Sequence, residues 1–229
     1  MPHLNLDVLA KSPFIGHLTD SVRDCVLSKA RAVQFKRGTT IGLQGEPAMS
    51  IKLVQSGWVK LYRVMPDGQE TILSTLTAGQ SFDEIAALQQ RDSPFSAEAI
   101  SDCTVVYFDI SQVCACADNL QEISNAVISA AAGQYEQMLG EIEQLKVKTG
   151  TQRLTEFLID LSVSTRGAEE ITLPFEKTIL AGKLGIKPES LSRAFGRLKA
   201  HGVKCTQKHV LIQDVEALRM LSDRVDEAA

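Results

Sequence analysis

Short apolar runs punctuated by glycine fill residues 20–110, where glycines recur every 7 to 12 residues. The runs with strand composition lie at residues 51–54, 58–64, 71–76 and 104–108. In the second run, Val59 and Leu61 alternate with polar neighbours, which predicts a strand with one buried face. The stretch Met-Pro-Asp-Gly at residues 65–68 predicts a hairpin turn. Several short strands at this spacing indicate a sandwich, barrel or roll.

The hydrophobic period changes between residues 118 and 148, a stretch without proline. Apolar positions three or four apart form a heptad pattern there: Ile128, Ala131, Tyr135, Met138, Ile142 and Leu145. A helix of this length spans about 45 Å, too long to hide in a domain of this size. It either packs on its own β domain or pairs with the same helix of a second copy. The narrow apolar stripe and its polar flanks favour the dimer.

The C-terminal third has the pattern of a helix-turn-helix unit. The predicted elements are a helix over 151–163, a strand over 171–173, a helix over 176–184, a helix over 188–201 and a hairpin over 205–212. Gly185 suits the left-handed residue that ends the first of the two adjacent short helices. Pro188 opens the next, where its missing N–H costs nothing. Two short helices across a tight turn form a helix-turn-helix, and the hairpin predicts a wing.

The second short helix presents side chains that can read bases. Its inward face is predicted to be Leu191, Leu198 and either Phe195 or Ala194. Arginine can donate two hydrogen bonds to guanine, and glutamate can accept one from cytosine. Glu189 and Arg193 share one face, where an ion pair between them would also orient the guanidinium. The candidate DNA-binding residues are Lys187, Glu189, Ser190, Ser192, Arg193, Arg197 and Lys208.

Charge separates along the chain in a way that supports this interpretation. Residues 1–150 carry 12 basic and 17 acidic side chains, whereas residues 177–210 carry eight basic ones and a single acid, Glu189. A basic stripe suits a phosphate backbone, with a solvated surface as the alternative. The overall formal charge of −4 excludes a histone-like protein. Because the stripe coincides with the predicted helix-turn-helix, we expect double-stranded DNA as the partner.

Composition excludes several other classes. Hydrophobic residues at 44% and charged residues at 23% are ordinary globular values. No apolar window approaches a membrane span and residues 1–14 lack signal-peptide features, so we expect a cytoplasmic protein. Five cysteines are an odd number, and we expect reduced thiols instead of a disulfide framework. No nucleophile–base pair and no metal-ligand set stands out, so no catalytic residue and no metal ligand is predicted.

Several stretches carry a resemblance over residues 12–222. They are Gln44-Gly45-Glu46-Pro47, residues 56–62 (Ser-Gly-Trp-Val-Lys-Leu-Tyr), the hairpin at 66–70 (Pro-Asp-Gly-Gln-Glu), the long helix, and residues 180–193. Together they resemble the Crp/Fnr family of bacterial transcription regulators. The resemblance implies an α+β fold with an N-terminal cyclic-nucleotide-binding-type β-roll, a long dimerisation helix and a C-terminal winged helix-turn-helix. The implied domains are residues 1–117, 118–148 and 149–229.

The recognition helix resembles the Fnr side of that family. Glu189, Ser192 and Arg193 form its Glu-x-x-Ser-Arg pattern. The resemblance implies a homodimer that reads a TTGAT-type palindrome and acts as an activator together with RNA polymerase. An effector would shift the pair of long helices, and a linker near residues 148–151 would reorient the recognition helices.

The sensor part departs from the cyclic-AMP binders of the family. Those proteins carry Gly-Glu near the start of a phosphate cassette and Arg-Ser near its end. Here Asp83 and Phe95 stand at the glycine and arginine positions, while Glu84 and Ser96 remain. An anion would meet a carboxylate and lack its guanidinium partner, so cAMP is not expected. Arg91 lies close enough in sequence to be a substitute.

The nearest branch by resemblance is that of the nitric-oxide-responsive regulators of denitrification, the Dnr/Nnr-like proteins. These imply a haem between the roll and the long helix, for which His17 is the candidate ligand and a surface histidine the alternative. Residues 1–24 contain no cysteine, so an iron–sulfur cluster of the family's N-terminal type is not expected.

The cysteines suggest further options. Cys114 and Cys116, at the head of the long helix, are candidates for a thiolate ligand or a redox switch. Cys25 and Cys103 are expected to be buried structural residues. Cys205 is a candidate for an exposed, oxidation-sensitive thiol near DNA.

Three functions remain open at this level. The pattern favours a DNA-binding regulator controlled by a small molecule or gas, with nitric oxide through haem as one possibility. An enzyme or a kinase-type regulatory subunit could use the same roll, but would leave the basic helix-turn-helix without a role. A regulator that is independent of an effector, or that responds to thiol oxidation, agrees with the altered cassette.

Overall fold

Residues 3–114, 120–165 and 168–222 are described by the structure, a computed structural model. The chain divides into two compact units, Met1–Met138 and Leu139–Ala229. In the ranges described, no helix has both the length and the apolar character needed to cross a bilayer.

The first unit is a β-roll with short helices. Its N-terminal helices are α1 (Leu6–Leu9), α2 (Pro13–Gly16) and α3 (Asp20–Ser28). Its strands are β1 (Arg31–Phe35), β2 (Thr40–Gly42), β3 (Ser50–Ser56), β4 (Val59–Val64), β5 (Glu70–Leu76), β6 (Ser81–Phe82), β7 (Ser96–Ala99) and β8 (Cys103–Asp109). Helix α4 (Glu84–Leu88) lies between β6 and β7, and α5 (Ile110–Cys114) follows β8.

Two antiparallel sheets form the roll, with strand orders β1-β8-β3-β6 and β2-β7-β4-β5. The four predicted strands are confirmed as β3, β4, β5 and β8, and the predicted hairpin joins β4 to β5. The remaining four strands were not predicted, because they are short and lack an apolar run. A roll, one of the predicted architectures, is therefore confirmed.

Strand β4 is buried on both faces, which corrects the expectation of one polar face. Lys60 and Tyr62 are only 8% and 6% exposed. The Lys60 ammonium is 2.8 Å from Glu70 and 3.1 Å from Glu98, and it lies over the Tyr62 ring. These partners compensate the charge, so an alternating sequence pattern does not mark a solvent face here.

The long helix, α6 (Leu120–Val147), packs on the roll through its N-terminal half. Ile123, Ala126, Val127 and Ala130 are buried in the core shared with α1–α3 and the outer face of the β1-β8-β3-β6 sheet. One of the two alternatives for this helix, packing on its own β domain, thus holds for this face.

The second unit contains the remaining elements. They are α7 (Gly150–Ser164), β9 (Glu170–Thr172), α8 (Lys177–Lys183), α9 (Pro188–Lys199), β10 (Val203–Thr206), β11 (His209–Ile212) and α10 (Val215–Ser222). Thr149 and Gln152 form a capping box at the start of α7. The three strands form one antiparallel sheet in the order β10-β11-β9. The predicted elements of this region are confirmed, with ends within a few residues.

The cysteines correct one expectation. Cys25 is half-buried and disulfide-bonded, so the prediction of uniformly reduced thiols is wrong at this position. Cys103 is buried, as predicted, and Cys205 is half-buried, and both are free thiols. The side chain of Cys114 and all of Cys116 lie outside the described residues.

Candidate nucleic-acid interface and sensor domain

Helices α8 and α9 form the helix-turn-helix, and their turn is built around Gly185. This residue adopts φ +62°, a left-handed conformation that favours glycine. The Ile186 N–H donates to the Ala181 carbonyl at 3.0 Å, which closes the end of α8. Pro188 occupies the first turn of α9, as predicted. The two helices and the turn therefore follow from short-range signals alone.

Helix α9 buries one face against the unit and leaves the other exposed. Leu191, Ala194 and Leu198 are buried, so Ala194, and not Phe195, belongs to the inward face. Phe195 is half-buried, and the Lys177 ammonium lies 5.1 Å from its ring centroid. Lys177 was not among the predicted DNA-binding residues, although its place in the basic stripe pointed to this surface.

The opposite face of α9 carries the predicted base-reading residues. Five of the candidates are exposed, namely Lys187, Glu189, Ser192, Arg193 and Arg197. The structure therefore brings these residues together on one surface of the second unit.

A hydroxyl, and not a carboxylate, orients Arg193. Its guanidinium donates to the half-buried Ser190 Oγ at 3.2 Å. Over the ranges that the structure describes, Arg193 forms no ion pair with Glu189, so the predicted intrahelical pair is absent. Both side chains keep their charged groups available for bases. Ser192 donates its hydroxyl to the Pro188 carbonyl at 3.1 Å.

The predicted wing is the hairpin of β10 and β11. Gln207 adopts φ 52° at its tip, and the half-buried Lys208 accepts a hydrogen bond from the Leu173 N–H through its carbonyl, at 2.7 Å. This bond ties the tip to the segment after β9 while the Lys208 side chain remains available. His201 and His209 are exposed near the same surface.

The heptad residues of α6 lie mostly on an uncovered face. Ile128, Tyr135, Met138, Ile142 and Leu145 are between 48% and 62% exposed, and Ala131 is half-buried. Leu139, which the heptad pattern missed, is also exposed at 48%. Isolated exposed apolar residues are ordinary, but a contiguous stripe marks an interaction surface.

In the roll, Asp83 is held in an unusual conformation by buried partners. It precedes α4 with φ 65°, a left-handed value uncommon for residues other than glycine. Its carboxylate lies 2.6 Å from the Lys52 ammonium and accepts a hydrogen bond from the Ser93 hydroxyl at 2.8 Å. Since Asp83 is 6% exposed, the negative charge at this position is compensated from within the chain.

The next residue, Glu84, joins the roll to the long helix. The Gln134 amide donates to its carboxylate at 2.7 Å and to the Ser81 carbonyl at 3.1 Å. Burial raises the pKa of Glu84 above its ordinary value. Protonation would relieve the cost of keeping this charge out of water.

The other cassette positions have partners of their own. Phe95 packs on Phe82 with ring centroids 6.4 Å apart. Ser96 accepts a hydrogen bond from the Gln44 N–H at 3.0 Å. Arg91 is exposed and does not line the cavity of about 250 Å³ in the roll. The arginine that the cassette lacks is therefore not replaced there by Arg91.

His17 lies on the surface, as the alternative to a haem ligand supposed. It follows the last residue of α2, and its ring Nδ1 is 2.6 Å from the carbonyl of Pro13, the first residue of that helix. The side chain is exposed and does not line the cavity of about 250 Å³ in the roll. No group of three or more metal-binding side chains occurs among the residues that the structure places.

A basic winged helix-turn-helix that follows a β-roll and a long helix defines the DNA-binding transcription regulators with an N-terminal sensor domain. Residues 32–118 match the family of cyclic nucleotide-binding domains, and residues 152–221 match that of Crp-like helix-turn-helix domains.

Known proteins share the whole architecture. A proposed cAMP-binding regulatory protein from Silicibacter pomeroyi DSS-3 is 38% identical, with a TM-score of 0.71 over 95% of this chain and 98% of the other. The nitrogen fixation regulation protein FixK of Azorhizobium caulinodans is 28% identical over 82% of this chain and 77% of its own length. DNR from Pseudomonas aeruginosa is 25% identical, with a TM-score of 0.51 over 96% of this chain and 98% of that structure.

The chain belongs to the Crp/Fnr family of transcription regulators. Its fold is the α+β combination that the sequence predicted, with a β-roll, a long helix and a winged helix-turn-helix. The family consists of DNA-binding regulators and not of enzymes, so the enzyme alternative is excluded.

Proposed function

We propose that the protein is a homodimeric, sequence-specific regulator that reads a TTGAT-type palindrome and responds to a small molecule other than cAMP. The observation that carries the proposal is the exposed face of α9, where Glu189, Ser192 and Arg193 are all accessible. As an activator it would contact RNA polymerase, and its work on DNA places it in the cytoplasm. The division into residues 1–117, 118–148 and 149–229 remains part of the proposal.

The uncovered stripe of α6 supports the homodimer. Its apolar side chains lose contact with water only when a second surface covers them. A two-fold axis would pair the stripe with itself, since the same residues then meet across the interface. Two recognition helices related by that axis would fit the two halves of a palindrome.

The buried Asp83 argues against cAMP. A phosphate held by the cassette would face this carboxylate, and Phe95, which packs on Phe82, gives it no guanidinium partner. The ligand named for the Silicibacter pomeroyi protein therefore does not transfer directly to this chain.

Haem sensing and the Dnr/Nnr-like branch have less support. DNR resembles this chain no more closely in sequence than FixK does. His17, the proposed axial ligand, does not line the cavity. The cavity volume of about 250 Å³ is also below the roughly 300–1,000 Å³ of pockets for drug-sized ligands, and haem is larger still. This cavity therefore does not fit a haem, and no residue of α6 lines it.

A second candidate, independence from any effector, is favoured by the internal Lys52–Asp83 pair. This pair and the Glu84–Gln134 hydrogen bond hold cassette, sheet and long helix together without a ligand. A chain assembled in this way could bind DNA constitutively. Thiol control is the related possibility, because Cys25 is disulfide-bonded.

Fluorescence anisotropy tests the proposal, with full-length protein on a TTGAT-type palindrome and on a scrambled duplex at fixed salt. The affinity for the palindrome should exceed that for the scrambled duplex by a factor of roughly 10³ or more. Measurements would be made with untreated protein, with cAMP, with reduced haem with and without nitric oxide, and with dithiothreitol. Equal affinity for both duplexes in every state would refute the base-reading assignment. Full specific affinity in the untreated state, unchanged by every addition, would favour effector independence.

A further inference from the structure

Two cations and two aromatic rings form one row across the β1-β8-β3-β6 sheet. Arg31 pairs in register with Tyr107, Tyr107 with Lys52, and Lys52 with Phe82. Side chains directly opposite each other on neighbouring strands share a face of the sheet. The contacts agree, since the Arg31 guanidinium lies 4.9 Å and the Lys52 ammonium 6.0 Å from the Tyr107 ring centroid.

Three members of this row, all except Phe82, form one wall of the cavity in the roll. Arg31, Tyr107 and Lys52 line it together with Asp83 and Ser93. Its volume of about 250 Å³ equals that of about eight water molecules at roughly 30 Å³ each. The exposed apolar side chains of Leu43 and Met49 stand among the lining residues. The cavity therefore has room for a small organic molecule with an apolar part.

The cavity is separate from most of the phosphate cassette. Glu84, Phe95 and Ser96 do not line it, and each has the partner already described. Of the cassette residues, Asp83 alone also lines the cavity.

The cavity is lined by two cations, Arg31 and Lys52, and by two carboxylates, Asp83 and Glu46. Lys52 is paired with Asp83, whereas Arg31 forms no ion pair with any carboxylate in the described part of the chain. Glu46, also on the wall, accepts the Leu43 N–H at 3.1 Å and so caps its own turn. Burial raises the pKa of Tyr107 to about 12, so its phenol stays protonated and can donate a hydrogen bond at neutral pH. A ligand anion would thus meet one unpaired guanidinium and one phenolic donor.

We propose that this cavity binds a small organic carboxylate, whose anion contacts Arg31 and Tyr107 while its apolar part lies toward Leu43 and Met49. The anion also competes with Asp83 for Lys52, because both cations flank the same ring. Small organic carboxylates would then be the effectors of the sensor domain, and this role rests on the proposed function.

Asp83 and Glu84 give this site a route to the long helix. Asp83 holds the sheet through Lys52, and the adjacent Glu84 holds α6 through Gln134. An anion that weakens the Lys52–Asp83 pair releases the residue next to Glu84. Carboxylate binding therefore loosens the contact between the roll and α6.

Isothermal titration calorimetry on the full-length protein tests the site, at constant ionic strength and without DNA. The probes are benzoate and hexanoate, with benzamide as the neutral counterpart of benzoate. At least one carboxylate should bind saturably and benzamide should not. Absence of saturable binding by both carboxylates would overturn the proposal. Because no DNA is present, this failure would be distinguishable from a failure of the base-reading assignment.

Variants locate the site. Arg31→Gln should weaken carboxylate binding at least tenfold, because a charge-assisted hydrogen bond is lost. The matched control Arg37→Gln, at a position that does not line the cavity, should leave the affinity unchanged. Asp83→Asn should strengthen binding, because it frees Lys52. If Asp83→Asn does not fold, the two arginine variants decide alone, and equal affinity of Arg31→Gln and Arg37→Gln would contradict the assignment.

Discussion

The guanidinium of Arg193 is oriented by Ser190 and not by the glutamate four residues before it. The hydrogen bond to Ser190 Oγ leaves the other guanidinium donors available for a base edge. A neutral partner also leaves the positive charge of Arg193 uncompensated, which suits a negatively charged duplex.

Arg193→Ala should cost about 1–3 kcal/mol at one base-pair position, because a bidentate contact is lost. Lys208→Ala should instead weaken binding to every sequence and lower the slope of log K against log salt by about one. Anisotropy titrations on single-substitution palindromes at several salt concentrations separate the two. Uniform loss across all sequences for Arg193→Ala would show that this residue contacts phosphate only.

Glu84 makes stability depend on pH. Because burial raises its pKa in the folded protein, the folded state carries a cost when the carboxylate ionises above that pKa. Glu84→Gln should therefore raise the melting temperature at neutral pH by a few degrees, while the Gln134 amide can still donate to residue 84. The gain should shrink as the pH falls and the wild-type carboxylate protonates. A gain that grows toward acid pH would contradict this sign.

At the scale of the element, α6 has one buried and one exposed apolar face. Ile123, Ala126, Val127 and Ala130 are buried against the roll, and the stripe through Tyr135 and Met138 is uncovered. The heptad pattern from Ile128 onward detects the second face only, although the residues of the first face also recur three and four positions apart.

Met138→Glu should dissociate the proposed dimer. A charge without a partner costs about 3–5 kcal/mol when buried, which corresponds to more than 100-fold in the dissociation constant. Sedimentation velocity over a concentration series measures the change. The control Gln144→Glu, on the polar flank, should leave the assembly unchanged. If both variants sediment like the wild type, the stripe does not form the interface.

The end of α6 and the helix-turn-helix are connected within the second unit. Arg153 donates to the Leu184 carbonyl at 2.9 Å and also to the Lys148 carbonyl. Leu145 lies where a side chain at Gly185 would be, 2.6 Å from the ideal Cβ position. The segment near residues 148–151, which the sequence indicated as a reorienting linker, is therefore braced in this unit.

Gly185→Ala should destabilise the second unit by about 1–3 kcal/mol, since its φ of +62° is unfavourable for alanine and Leu145 must move. Gly196→Ala is the matched control, because no atom lies within 4 Å of its added Cβ and alanine is the better helix former. Thermal denaturation followed by circular dichroism compares them. Equal melting temperatures would show that the turn tolerates a side chain.

At the scale of the whole molecule, basic charge concentrates in the DNA-binding part. Residues 177–210 carry eight of the 24 basic side chains with only one acid. The rest of the chain is acidic enough to give a net charge of −4. Like-charge repulsion from the acidic parts therefore favours approach to DNA through the winged helix-turn-helix.

The proposed two-fold assembly should make binding depend on half-site spacing. Inserting about five base pairs, half a helical turn, between the two TTGAT-type half-sites moves one of them to the opposite side of the duplex. Affinity should fall toward that for a single half-site. Insertion of about ten base pairs, a full helical turn, serves as the comparison. It returns both half-sites to the same side of the duplex but increases the distance between them. Equal affinity for all three duplexes would indicate that each half-site is bound independently.

The helix-turn-helix, its wing and the exposed face of α9, which we propose reads DNA, were determined by the sequence alone. Pro188 and Gly185 bound the helix-turn-helix through local backbone preferences, and apolar periodicity selects Leu191 and Leu198 as its inward residues. Such signals act over a few residues, so no knowledge of distant contacts is needed.

Only the tertiary structure decided the chemistry of the sensor. The Lys52–Asp83 pair joins residues 31 positions apart, and the row from Arg31 to Phe82 depends on the register of four strands. All four members of the row come from strands, and two of these strands, β1 and β6, were too short or too polar to be predicted. Burial of charged groups such as Lys60 follows from partners on other strands. The pairing of strands that are distant in sequence therefore determines which charged groups come into contact in the roll. Local sequence patterns do not contain this information.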